Sequence, residues 1–415
     1  MTQGTAKIPF TGQQKFVILM LALTQFTVIL DFMVMSPLGE MIMRSMSLTP
    51  RQFGLAVSGY AVSAGISGLL TAGFADRFDR KRLLMFFYGG FILGTIACGL
   101  STSYYMLLGA RIVTGIFGGV IGSISMAIVT DLFDIHHRGR VMGFVQMGFG
   151  ASQVLGIPIS LWIATKLLGW QAPFLMVAGL ALLTFLFIAV RLQPVRGHLA
   201  LQHDRSPLAH LWQTVAKRHY RMGFLAMAVL SIGGFMMMPF GTAFAVNNLK
   251  IPEDQLFELF MVSGVATLIV MPLVGKLADK IDKFKLFTVA CFWMMAVVVL
   301  YTQLGPTPLW EVMIFNVAMM AGIMSRMIPS GALMTALPEA YDRGAYMSVS
   351  ASLQQIAGGI AAAFAGLVVT QHDKTSPLQH YELLGYIMVG LTVLSIILVF
   401  RIDRLVKRKT HEQKL

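Results

Sequence analysis

Twelve apolar runs, centred near residues 27, 63, 92, 118, 152, 180, 233, 267, 295, 321, 357 and 392, constrain this chain more than any other feature. Each is about twenty residues or longer, the length a helix needs to cross roughly 30 Å of hydrocarbon, whereas a barrel strand needs only about ten. With 56% hydrophobic and 12% charged residues in a chain of 415, there is far more apolar surface than one soluble core could bury. The pattern predicts an all-α membrane protein with twelve transmembrane helices.

The first run, FVILMLALTQFTVILDFMVMSPL (Phe16 to Leu38), follows Lys7 and Lys15 and carries one charge, Asp31. It is too long for a signal h-region and has no small-residue cleavage site after it, so it is expected to stay in the mature protein. Basic loops remain on the cytoplasmic side. With the N-terminus inside, the outer loops hold only Arg44, Arg51, Lys166, Lys250 and Lys374 of the 32 basic residues, and an even number of spans brings both termini to the cytoplasm. The plasma or inner membrane is the expected location. The net charge of +13 then reads as a topology signal and an attraction to anionic lipid, with no nucleic-acid partner implied. Cys98 and Cys291 lie mid-span in different halves, and the nine histidines fall in loops or tails, so neither a disulfide framework, a metal site nor a bound cofactor is expected.

The chain repeats itself. AGFADRFDRKR (Ala72 to Arg82) returns as GKLADKIDKFK (Gly275 to Lys285), aligning Asp76 with Asp279, Arg77 with Lys280, Asp79 with Asp282 and Arg80 with Lys283. RGRVMG (Arg138 to Gly143) is echoed by RGAYMS (Arg343 to Ser348) at nearly the same offset. Two echoes at one spacing imply a duplicated six-span unit in parallel orientation, a pattern of transporters. The predicted organisation is a six-helix bundle over residues 1–191, a cytoplasmic linker over 192–220 and a second bundle over 221–415. The linker is broken by Pro194, Gly197 and Pro207, then gains a helical face of Leu208, Leu211, Trp212 and Val215 ahead of Lys217, Arg218 and Arg221. That face predicts a helix lying on the inner membrane surface.

These motifs resemble those of the major facilitator superfamily over nearly the whole chain. The family's loop after span 2 reads roughly G-x-L-A-D-R-x-G-R-R/K; Asp76, Arg77, Arg80 and Lys81 match, while Ala72 and Asp79 replace the two glycines. RIVTG (Arg111 to Gly115) matches the span-4 pattern R-x-x-x-G, and LDFMVMSPL in span 1 is similar to a segment of drug and sugar efflux members. GFGASQVLGIPIS in span 5 departs from the antiporter motif, because Ile157 separates Gly156 from Pro158 and Ser160 stands where a glycine is expected. The resemblance implies two pseudo-symmetric six-helix bundles rocking about a central cavity lined by spans 1, 4, 7 and 10. The acid–base loops read as a conformational latch formed by Asp76, Arg77 and Arg80, with Asp131 as a further partner, and by Asp279, Lys280 and Lys283 in the second half. Ordinary topology-fixing charge is the plainer alternative.

Three charges sit deep in spans: Asp31, Arg111 and Arg326. Each costs a few kcal/mol there unless paired or wetted. Span 1 runs outward and span 4 inward, so Asp31 and Arg111 share a depth; Thr24, Thr27 and Asp31 make one stripe, and Arg111, Gly115, Gly118, Gly122 and Ser125 another. A dry cavity penalises the ionised carboxylate and a neighbouring guanidinium offsets that penalty, which suits a proton-coupling switch. A static Asp31–Arg111 brace is the alternative. Arg326 shares a face with Met319, Gly322 and Pro329 and either meets substrate, is neutralised by carbonyls near Pro329, or snorkels inward. Thr27, Met35, Gln146, Met237, Asn247 and Arg326 are the candidate cavity residues, the methionines because thioethers adapt to varied apolar molecules.

No G-x-x-x-x-G-K-[ST] loop, hydrolase elbow or metal-ligand cluster occurs, which argues against ATP-driven pumping and against an enzyme. The expectation is proton-coupled efflux of a small drug-like or sugar-like molecule, by a monomer, powered by the proton gradient. Proton symport, organic-anion exchange and a non-transporting sensor are the alternatives.

Overall fold

The computed structural model of the chain describes residues 10–71, 74–196, 207–339 and 341–412. Among the described residues, twelve helices are long and apolar enough to cross a membrane: Gly12–Val34, Pro50–Thr71, Arg80–Gly99, Tyr104–Leu132, His137–Leu167, Gln171–Arg191, Arg218–Asn247, Glu253–Lys280, Lys283–Thr302, Leu309–Ala336, Arg343–Val368 and Tyr381–Arg408, spans 1 to 12 below. We call the side carrying both chain ends the terminal face and the opposite side the distal face.

Local chemistry sets where spans begin and bend. Thr11 and Gln14 form a reciprocal capping box at the start of span 1, and Ser103 caps span 4 through the Met106 N–H. Asp79 and Asp282 cap spans 3 and 9. Span 5 widens into π turns at Ser152–Gly156 and Ala164–Leu168. Pro158 explains the first, since its ring cannot fit behind the carbonyl four residues earlier in a regular α-helix. Span 7 is interrupted by a tight turn at Met238–Phe240, where Pro239 sits, and resumes at Gly241–Asn247.

Close helix crossings depend on missing side chains. A Cβ on Gly115 would lie 2.3 Å from the Tyr60 carbonyl oxygen, so spans 2 and 4 meet backbone to backbone and the glycine of RIVTG is obligatory. The same device joins the halves, where a Cβ on Gly54 of span 2 would lie 2.7 Å from the Ala362 carbonyl of span 11.

The apolar packing is asymmetric across the membrane. Toward the distal face one core draws on both halves, from Leu30, Ile42 and Phe53 through Phe240, Phe244 and Leu249 to Ala362 and Tyr381. Toward the terminal face the packing divides: one cluster lies within residues 10–192, while a second, around Tyr220, Phe287, Tyr346 and Val399, takes from the first half, among the described residues, Leu69 alone. Polar contacts between the halves reinforce the distal seal. The Ser36 hydroxyl donates to the Met238 carbonyl, Thr242 Oγ1 donates to the Ser36 carbonyl at 2.7 Å, Arg44 pairs with Glu253, and Lys166 meets Asp254 at 3.4 Å. This conformation is closed at the distal face.

The linker contains a helix, Pro207–Ala216. Leu211 and Val215 pack on the second half's core and Trp212, 75% exposed, is left outward; Gly197 and the Leu208 side chain fall outside the described residues. A 3.6-residue stripe defines an apolar face without saying whether lipid or protein covers it. The helix is further held by Lys217, which pairs with Asp342; that contact pushes the Lys217 ammonium above its ordinary range.

Candidate functional site

Asp31 and Arg111, placed at one depth by opposite-running helices, are in contact. Arg111 Nη1 donates to Asp31 Oδ2 at 2.8 Å and approaches the Asp31 carbonyl oxygen at 3.4 Å. Thr95 of span 3 donates to the other carboxylate oxygen at 3.2 Å. The guanidinium carbon stands 4.4 Å from the ring centre of Tyr60 in span 2 and 6.0 Å from that of Phe174 in span 6. Charge on a ring face and charge on a carboxylate together compensate for lost hydration. The compensation is incomplete, because Arg111 Nε and Nη2 are buried without hydrogen-bond partners.

Both side chains are 0% exposed. The sequence placed this carboxylate in a cavity; in this conformation it lies instead inside the first bundle, enclosed by spans 1, 2, 3, 4 and 6 and just beneath the distal seal. A group so enclosed exchanges a proton only after neighbouring helices part. Spacing had found the pair but not Tyr60, Thr95 or Phe174, whose approach depends on how each helix is rotated in the bundle.

The other candidates for a cavity are dispersed. Thr27 is buried against span 3, with its hydroxyl 2.9 Å from the Tyr88 hydroxyl, so it faces the interior of its own bundle. Met35 and Asn247 are buried in the distal seal. Met237 lies in the shared distal core, where its carbonyl receives the Tyr381 hydroxyl at 3.4 Å. Gln146 is exposed on span 5. Arg326 is 7% exposed with Nε unpartnered, and Cys291 of span 9 is the titratable group beside it. Gly322, one turn earlier, abuts Met294 and Trp293, so this face of span 10 turns toward span 9 rather than toward the other half. The carbonyl of Arg326 is taken by Ser330 Oγ at 2.6 Å.

At the terminal face one of the expected latch pairs is present. Arg80 reaches Asp131 at 3.2 Å. Arg77, Asp279 and Lys280 are exposed and Lys283 is half-buried, with no ion pair described for any of them; the Asp76 side chain lies outside the described residues. Asp79 and Asp282 also hold the loops. Asp79 Oδ2 receives Arg196 Nε at 2.8 Å while Oδ1 receives the Lys81 and Val195 N–H groups at 2.9 and 3.3 Å. Asp282 receives Lys407 Nζ at 2.6 Å and the Lys285 N–H at 3.0 Å. Burial works against the Asp79 charge, but Arg196 and the backbone donors hold its carboxyl below the usual range; Lys407 does the same for Asp282. Each clamp ties a loop to the end of the last span in its own half. Among the described residues, no group of three or more His, Cys, Asp or Glu is placed to hold a metal ion.

Comparison with known proteins follows the same lines. The family model described as Major Facilitator Superfamily matches residues 21–362. A Bacillus subtilis (strain 168) protein named as an uncharacterized MFS-type transporter is 24% identical over 264 residues, 63% of this chain and 66% of its own length. A probable sugar efflux transporter of Helicobacter acinonychis (strain Sheeba) is 24% identical over 243 residues, 58% of this chain and 60% of its own length. The match thus spans less than two thirds of either relative. Among solved structures, a bacterial homologue of the human lysosomal transporter Spinster, in an inward-facing and unoccupied conformation, superposes with a TM-score of 0.78 at 16% identity, covering 96% of this chain and 99% of that one.

Proposed function

The chain belongs to the Major Facilitator Superfamily, and from that premise we propose that it is a proton-coupled exporter of a small organic molecule, working by alternating access in the plasma or inner membrane. The observation that carries the reading is the Asp31–Arg111 pair, a carboxylate and a guanidinium at membrane depth with 0% exposure, directly below a seal that joins the two halves. The clustering of basic residues in the terminal-face loops supports a cytoplasmic position for that face. The distally closed conformation is then the one that takes substrate from inside.

In the cycle proposed here, parting of the distal seal admits water to Asp31. A proton from the outside neutralises the carboxylate, and Arg111 loses its ionic partner while keeping the Tyr60 ring. Closing the seal over a neutral Asp31 buries Arg111 without that partner, and release of the proton on the cytoplasmic side restores the ion pair. Removing one partner of a buried pair costs about 3–5 kcal/mol. A free-energy difference of that size is large enough to bias two conformations.

The similarity to proteins named as efflux transporters favours export of a drug-like or sugar-like compound. Organic-anion exchange would call for a cation between the halves, and the deep candidate, Arg326, is turned toward span 9. Proton symport remains the alternative that direction of flux decides. Everted membrane vesicles energised to an acidic interior are expected to accumulate an exported compound and to lose it on adding an uncoupler. Accumulation only in right-side-out vesicles would mark a symporter.

A further inference from the structure

The distal seal contains a second buried carboxylate. Glu40 lies on the short helix Gly39–Met46 between spans 1 and 2 and is 1% exposed. One of its oxygens receives Arg44 Nη2 at 3.0 Å; the other, Oε2, is buried with no hydrogen bond. Arg44 also pairs, through Nη1, with Glu253 at the start of span 8, so one guanidinium in the first half serves two carboxylates, one from each half. Asn247 of span 7, 2% exposed, is the polar neighbour of Glu40 across the seam, and its Nδ2 is likewise left without a hydrogen bond.

We propose that Glu40 is a proton-binding site of the distal seal, occupied from the distal side, whose protonation holds that seal shut. The inference rests on alternating access and not on which solute is carried. The geometry supplies the reason. With both acids ionised the cluster holds two negative charges and one positive, and Oε2 lies buried without a hydrogen bond. A proton on Glu40 leaves a balanced Arg44–Glu253 pair across the halves. The charged groups facing the carboxylate are Arg44 from its own helix and Glu253 from span 8; span 2 and the 238–240 turn present Phe53 and the Pro239 carbonyl to the preceding residue, Gly39. Burial pushes the Glu40 carboxyl above the ordinary carboxylate range, with Asn247 and Arg44 opposing and Glu253 adding to the rise.

The sign follows by linkage. In the open state Asn247 and Glu253 withdraw with the second half, Glu40 is hydrated, and its proton affinity returns toward the ordinary value. The closed state therefore binds the proton more tightly, so acid favours closure and raising the pH favours opening. Each unit of difference between the two pKa values changes the open-to-closed ratio about tenfold across the titration.

The test measures opening directly. Spin labels at Thr102→Cys and Thr375→Cys, both exposed positions on distal loops of opposite halves, would be followed by pulsed electron resonance in nanodiscs across pH; Cys98 and Cys291 are buried and need not be replaced. The wild-type separation is expected to lengthen as the pH rises, and Glu40→Gln to stay short throughout. Glu253→Gln, which breaks only the pair across the halves, is expected to lengthen the separation at every pH yet keep the pH response. Asp31→Asn is expected to keep it too. A wild type with no response, a Glu40→Gln response like the wild type's, or a response lost in Asp31→Asn or Glu253→Gln would each overturn the assignment. No solute or flux enters these distances, so failure here leaves the export reading standing, and failure of export leaves the seal measurement intact.

Discussion

At the scale of single residues, the account depends on how Asp31 and Arg111 share their burial. Arg111→Ala leaves a buried carboxylate with Thr95 as its one described side-chain donor, and is expected to destabilise the protein by about 3–5 kcal/mol; adding Asp31→Ala should recover part of that loss, because the lone charge goes with it. Thermal unfolding in detergent, compared across both singles and the double, reads the coupling. Thr95→Val should cost about 1 kcal/mol, the net worth of an ordinary hydrogen bond. The partnership itself was legible, since two helices of known direction put both charges at one depth. Its enclosure was not. Thr27 shows why: a stripe fixes which residues share a helix face, but the neighbour that face meets is decided by rotation within the bundle, and here it meets Tyr88 of span 3.

At the scale of elements, helix crossings and loop clamps carry the consequences. Gly115→Ala forces a methyl against the Tyr60 backbone and is expected to lower stability by about 1–3 kcal/mol, whereas Gly139→Ala, where nothing lies within 4 Å of the added atom, should be neutral. Melting points of the two variants make the comparison. The clamp at Asp79 predicts a pH effect of definite sign. Because its carboxyl is held below the ordinary range, the stabilisation is present above the usual aspartate pKa of about 4 and is lost as the pH falls through the depressed value. At neutral pH, Asp79→Asn should speed hydrogen exchange at the Lys81 and Val195 amides while leaving Lys285 unchanged. The repeat was readable because charge recurs at a fixed spacing. Its working acids were harder to pick, since Arg196 and Lys407 lie more than a hundred residues from Asp79 and Asp282, and no local pattern announces them.

At the scale of the whole molecule, the twelve spans and two halves were legible because the length and apolarity of each run leave few alternatives in a bilayer. Which face is closed was not, because two packings of one sequence share the same periodicities. The shared distal core and the Ser36, Arg44 and Lys166 contacts define the closed seal. A disulfide between Arg44→Cys and Glu253→Cys is therefore expected to arrest transport under oxidation and release it under reduction, read as flux in the same vesicles before and after reductant. The most direct test of the central claim reconstitutes wild type and Asp31→Asn in proteoliposomes and compares solute movement driven by a pH gradient with solute exchange at equal pH. The account predicts that Asp31→Asn keeps exchange and loses gradient-driven accumulation by at least tenfold. Gradient-driven accumulation equal to wild type in that variant would contradict it.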